Sequence, residues 1–207
     1  MDINALRAIF ASIAEKMSEN RDYLVSLDQQ NGDGDLGVYM KEGYAATAAF
    51  LKDEDFTDLG IAFNKAANVF NEHAPSSLGT ITAFIMKGMA RALKGKESAD
   101  CSEVGKAMIA GLENVTAKAG SKRGEKTILD SLYPAAEILA AGNGPAKDVI
   151  KAAADAAAEG SEATKQMRAV WGRAAYFGDQ SIGVLDGGSV AGRLIFEAVN
   201  DWAEKTL

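Results

Sequence analysis

Three carboxylates, Asp28, Asp33 and Asp35, fall within eight residues in "LDQQNGDGDLGVYM", residues 27–40. Like charges this close repel one another, and a hard divalent cation such as Mg²⁺ or Ca²⁺, which prefers carboxylate oxygen, relieves that repulsion. A plainer reading stands beside this one: Asp33 or Asp35 caps the following helix and the remaining acids are solvated. Asn31, Asp33, Asp35 and Glu42 also stand at EF-hand ligand spacing, but Leu36 occupies the position where that loop needs glycine for its sharp turn.

Three further stretches carry chemistry-bearing side chains. In "HAPSSLGT", residues 73–80, Ser76 or Ser77 can cap a helix whose first free N–H groups would suit a phosphate, although a serine cap alone explains the pattern. His73 has no partner motif and reads as a structural or surface histidine. In "AGSKRGEKT", residues 119–127, Lys122, Arg123 and Lys126 could contact phosphate or simply solubilise a loop. The glycine-bearing stretch "WGRAAYFGDQSIGVLDGGS", residues 171–189, is a long connection with Arg173 and Asp186 as its reactive members.

These stretches must be positioned by helices. Ile3, Leu6, Ile9, Phe10, Ile13 and Met17 recur at steps of three and four, and similar stripes run at roughly 38–52, 57–73, 77–94, 101–118, 127–141, 146–168 and 189–205. No run sustains period-two alternation, which speaks against a sheet. The expectation is an all-α barrel or bundle of about eight mostly antiparallel helices, with function at the end where connections converge.

Composition bounds the function class. With 207 residues, 47% apolar and 25% charged, the chain can form one core, and a single domain spanning residues 1–207 is expected. A net charge of -7 argues against nucleic acid or an anionic membrane as partner. No segment is apolar for long enough to cross a bilayer, the charged residues Asp2, Arg7, Glu15 and Lys16 interrupt the N-terminal stripe, and the lone Cys101 reads as a spectator, so a cytoplasmic location is expected.

In this order on a helical chain, the Asp-x4-Asp-x-Asp-x-Gly pattern of Asp28, Asp33, Asp35 and Gly37, the segment "GEKTILD" and the run "GRAAYFGDQSIGVLDGG" resemble the nucleotide-binding L subunit of dihydroxyacetone kinases, the DhaL or DAK2 family. The resemblance runs from residue 1 to about 205. It implies a barrel of eight antiparallel helices that holds ADP or ATP at one end through two Mg²⁺ ions. Asp28, Asp33 and Asp35 match the family's magnesium ligands, and Gly37 and Val38 fall beside the phosphates. Ser76, Ser77 and Gly79 match the phosphate loop, Thr127 and Ile128 the adenine pocket, and Arg173, Asp186 and Gly187 the C-terminal loop that closes on the nucleotide.

The implied chemistry is phosphoryl transfer to dihydroxyacetone or a related small ketose, in which positioning and charge neutralisation dominate and no nucleophile comes from this chain. The ketose is held by a separate K-type subunit, so this chain would be an inactive half of a kinase. Either ADP stays bound and is rephosphorylated by an M-type phosphotransferase-system protein, or ATP exchanges each cycle. A homodimer is compatible with the reading. Leu36 and Tyr39 replace a histidine and an asparagine found in many members, and Pro75-Ser76-Ser77-Leu78-Gly79 replaces the usual Gly-Gly-x-Ser-Gly. Those departures motivate an alternative, a non-enzymatic nucleotide-sensing or regulatory protein of the same fold.

Overall fold

In the computed structural model, which describes residues 1–207, nine α-helices form in chain order: α1 (Ile3–Glu19), α2 (Arg21–Asn31), α3 (Leu36–Asp53), α4 (Leu59–His73), α5 (Ser77–Ala92), α6 (Cys101–Ala119), α7 (Leu129–Ala141), α8 (Ala146–Ala163) and α9 (Gly187–Thr206). Short 3-10 segments at Thr164–Gln166 and Arg173–Ser181 lie between α8 and α9. Helix boundaries follow local chemistry. Asp2 accepts from Ala5 N (2.8 Å), Asp58 from Ile61 N (3.0 Å) and Ser76 from Gly79 N (3.0 Å), each covering a first-turn donor. Asp100 and Glu103 form a reciprocal capping box on α6, and α6 and α7 stop at left-handed Gly120 (φ 82°) and Gly142 (φ 60°).

Eight helices form the wall of a closed barrel. Neighbours pack in the order α1, α3, α4, α5, α6, α7, α8, α9, and α9 returns to α1, where Ser12 Oγ donates to Ala198 O (2.9 Å). The ninth helix, α2, follows α1 after a break at Asn20 and packs against α3 and α9, the neighbours that flank α1 in the ring. It was not expected from the sequence, because it buries only Leu24 and Leu27, too few residues to print a stripe. Its presence moves Asp28 from a loop onto the last turn of a helix. Two other boundaries differ: the 146–168 stripe stops being α-helical at Ala163, and the 171–189 connection contains a 3-10 segment.

Every helix contributes to one continuous cluster of 45 buried apolar residues, so the barrel interior is filled by side chains. Where α5 and α6 touch, Gly88 and Gly111 face each other, and a Cβ at either would collide with backbone of the opposite helix. No helix is long and apolar enough to cross a membrane.

Because successive wall helices alternate in direction, connections alternate between ends. The α2–α3, α4–α5, α6–α7 and α8–α9 connections meet at one end and enclose a cavity of about 830 Å³. The opposite end carries residues 54–58, 93–100 and 142–145, the first two stitched by Leu59 N donating to Lys96 O (2.8 Å) and Gly95 N donating to Asp58 Oδ2 (2.8 Å).

Candidate functional site

Asp28, Asp33 and Asp35 lie on the cavity wall, and each offers one carboxylate oxygen within 4.8 Å of the others. Asp28 does more than repel its neighbours. Its Oδ2 accepts from the backbone N–H groups of Gly34 (2.8 Å), Asp35 (3.1 Å) and Leu36 (3.4 Å), so an acid on the end of α2 caps the start of α3. Asp35 occupies the N-cap position of α3 without a side-chain cap bond, and Asp33 pairs with the Arg173 guanidinium. The capping function expected of Asp33 or Asp35 therefore belongs to Asp28.

Partial burial pushes the Asp35 carboxyl above the usual carboxylate range, and the charges of Asp33 and Asp28 push it further. Three carboxylates gathered this closely, two of them without backbone donors, suit a hard divalent cation, which would lower the cost of holding all three ionised.

Across the cavity, Ser76 and Ser77 sit at the start of α5, and Ser76 supplies the cap. A helix start with free N–H groups carries partial positive charge and suits a phosphate. Leu78 lines the cavity beside these serines, as Leu36 does beside the acids. Thr127, Ile128, Arg173, Asp186 and Gly187 also line the cavity, which thus collects most of the expected site residues. Gly37, Val38 and Gly79 do not line it. Gly37 lies buried in α3 against the backbone of α2 at Arg21 and Val25, and Gly79 lies buried against Ala74, so both allow close packing behind the cavity wall. Val38 stands in the first turn of α3, its N–H bonded to Asp35 O (3.0 Å).

The α6–α7 connection departs most from expectation. Of its three cations, Arg123 pairs with Glu137 at the surface (3.1 Å), whereas Lys126 is only 3% exposed and lines the cavity. Lys126 adopts φ +62°, a left-handed conformation that is costly for a side chain with Cβ. Its ammonium donates to Thr164 O and Val184 O, both at 2.6 Å. Desolvation draws its pKa below the usual lysine value, against the pull of the Asp186 and Asp130 charges. It neither solubilises the loop nor extends freely toward a ligand, and nothing in the local sequence could announce partners 38 and 58 residues away.

Two acids stand near Lys126, the buried Asp130 behind the cavity and the half-buried Asp186 on its wall. Asp130, 3% exposed, accepts from Thr127 N (2.8 Å) and Gly124 N, which folds the connection back onto α7. Asp186 caps α9 by accepting from Ser189 N (2.6 Å). Desolvation pushes its carboxyl up to about 7, opposed by that bond and by the Lys126 charge. Trp171, which the sequence did not single out, lines the cavity mouth with its indole N–H donated to Glu125 and its ring against Gly120. Its position before left-handed Gly172 and the charged Arg173 was the available signal.

One cavity thus offers a carboxylate cluster, a serine-capped helix start, an arginine and an apolar wall of Ile81, Ile128 and Leu129. That combination suits an anionic ligand with a cation at one end and an apolar ring at the other.

Comparison with known proteins agrees with this reading. The DAK2 domain family model matches residues 30–201. The chain is 31% identical over 185 residues to the PEP-dependent dihydroxyacetone kinase 1 ADP-binding subunit DhaL of Listeria innocua, covering 89% of each chain. It is also 31% identical over 182 residues to the triokinase/FMN cyclase of Mus musculus, covering 86% of this chain and 31% of that one. The fold superposes on the dihydroxyacetone kinase of C. freundii in complex with AMP-PNP and Mg²⁺ with a TM-score of 0.75 at 23% identity, covering 94% of this chain and 33% of that one. The eight-helix wall, the convergent connections and the extent of these matches lead to one conclusion: the chain belongs to the DAK2 domain family, whose matched members are kinase subunits and domains.

Proposed function

We propose that this chain is the nucleotide-binding subunit of a dihydroxyacetone-type kinase, binding ADP or ATP with Mg²⁺ and transferring phosphate to a small ketose held by a partner K-type subunit. The whole chain, residues 1–207, serves as one nucleotide-binding unit. The observation that carries the proposal is the meeting of Asp28, Asp33 and Asp35 with Ser76, Ser77 and Arg173 around one cavity.

Asp28, Asp33 and Asp35 would hold the divalent cations, two by family resemblance, and bound cations would neutralise phosphate charge as it shifts between oxygens. The chain's own groups do the rest. The start of α5 presents N–H donors to phosphate, Arg173 supplies a cation at the mouth, and Ile81, Ile128 and Leu129 receive the base. Asp28 also fixes the start of α3 through three backbone bonds, which keeps the acidic cluster preorganised. None of these groups is a nucleophile for the ketose, so the acceptor arrives with the partner. A phosphotransferase-system donor is the source of phosphate if ADP remains bound between cycles.

Leu36 and Leu78 on the cavity wall favour one competing reading, a nucleotide sensor that binds without turnover. Thermal unfolding with and without ADP and Mg²⁺, together with mass analysis of the purified chain, tests binding. A Mg²⁺-dependent rise in Tm supports both readings, and its absence with ADP and ATP removes both. Phosphate transfer to dihydroxyacetone on mixing with a K-type subunit then selects the kinase.

A further inference from the structure

The segment 171–184, of which residues 171–174 line the cavity, is held at both ends by two adjacent residues of the α6–α7 connection. In its far half, Ala169 N also donates to Ser181 Oγ (2.9 Å) and Gly183 N to Lys165 O (2.7 Å). At its start, Val170 N donates to Glu125 O (3.4 Å) and the Trp171 indole N–H donates to the Glu125 carboxylate. The same carboxylate oxygen accepts from Lys122 N (2.7 Å), which fixes Glu125 within its own turn. At the far end, the Lys126 ammonium bonds Val184 O, and it bonds Thr164 O at the foot of α8 as well. The left-handed backbone at Lys126 turns these consecutive side chains to their separate targets. Between the two ties, Arg173 reaches Asp33 of the acidic cluster.

We propose that Glu125 and Lys126 are positioning residues that clasp the 171–184 segment over the cavity and so set Arg173 against the acidic cluster. This rests on the nucleotide-binding reading for its effect on affinity, but the clasp itself concerns only this chain. Glu125 acts through Arg173: losing the tie frees the start of the segment, where Arg173 stands, and an arginine that must be ordered on binding contributes less than one already in place.

The test uses the full chain with Mg²⁺ and ADP in isothermal titration, and limited trypsin digestion without ligand, read at cleavage after Arg173. Glu125→Ala is expected to weaken ADP binding about tenfold and to speed that cleavage. Glu125→Gln, whose side-chain oxygen still accepts from both N–H groups, is expected to behave as the parent. In the background of Arg173→Ala, the Glu125→Ala substitution is expected to add no further loss of affinity, because the residue through which it acts is gone. Lys126→Met tests the other tie in the same digestion, with Lys126→Arg as a second variant that keeps a cation able to reach both carbonyls if Met prevents folding. The proposal is overturned if Glu125→Ala binds and is cut like the parent, if Glu125→Gln loses as much as Glu125→Ala, or if the Glu125→Ala and Arg173→Ala losses add. Should the parent chain fail to bind ADP, the functional reading falls, and the digestion alone decides the clasp: equal cutting in parent and Glu125→Ala overturns it.

Discussion

The two ends of the barrel use the same materials to opposite effect. At the end formed by residues 54–58, 93–100 and 142–145, polar groups satisfy one another: Asp58 takes both Ile61 N and Gly95 N, Leu59 N meets Lys96 O, and Ala99 N meets Met1 O (2.8 Å). At the other end, Asp33 and Asp35 receive no backbone donors, the start of α5 opens onto a cavity, and Arg173, two-thirds exposed, hangs over the acids from a long segment. Carboxylates whose lone pairs are filled by N–H groups build structure, those that face one another are the ones proposed to hold a cation, and Asp28 does both. The difference lies in partners, since aspartate, glycine and serine occur at both ends.

Asp130 is the sharpest exception, because it is a filled, structural carboxylate at the open end. Asp130→Ala would orphan two N–H donors in a buried turn, and we expect a loss of about 3 kcal/mol in denaturant unfolding. Asp35→Asn should do the reverse: about a hundredfold weaker ADP binding in Mg²⁺, roughly 2.7 kcal/mol, with unliganded stability equal or higher because a repulsive charge is removed. Finding weaker folding and intact affinity would dissolve the distinction between the two kinds of carboxylate. At the closed end, Asp58→Ala removes a cap and an inter-loop bond and should cost about 1 kcal/mol of stability, with ADP affinity unchanged by calorimetry.

The one expected effect that depends on pH belongs to Asp186, a cap on the open side whose folded-state pKa, about 7, stands above its usual value of 3.8. The folded chain holds this proton more tightly than the unfolded chain, so the group's contribution falls as pH rises from about 4 to about 7 and stays low above that. Asp186→Asn keeps a cap acceptor and loses the charge. Its stability relative to the parent should therefore increase with pH across that window, by up to about 4 kcal/mol at pH 8, measured by urea unfolding at several pH values.

The barrel was legible where burial is periodic. Of the stripe Ile3, Leu6, Ile9, Phe10, Ile13 and Met17, all are buried but Ile9, which is partly so, and the caps at Asp58, Ser76 and Asp100 stand at or next to the boundaries that the stripes suggested. Helix α2 was not legible, since it buries only Leu24 and Leu27, too few residues to print a stripe. The acids, serines, Arg173 and Asp186 were assembled in advance through the family resemblance, because their types taken singly fit a plain cap or a solvated loop as well, and they do line one cavity. Lys126 could not. Its burial and its two carbonyl partners arise from three connections meeting in space, and its left-handed φ has no signature in a side chain that usually points to water.

The glycine contact between α5 and α6 reaches beyond packing. With Gly88 and Gly111 backbone to backbone, no small shift of these helices admits water between them, so their central amides open only when the barrel comes apart. In hydrogen–deuterium exchange these amides would form the slowest class. The 171–184 segment, held at its two ends, would form the fastest class among the cavity's walls. Entry of the proposed nucleotide would then cost local opening at the rim and leave the midsection of the barrel closed.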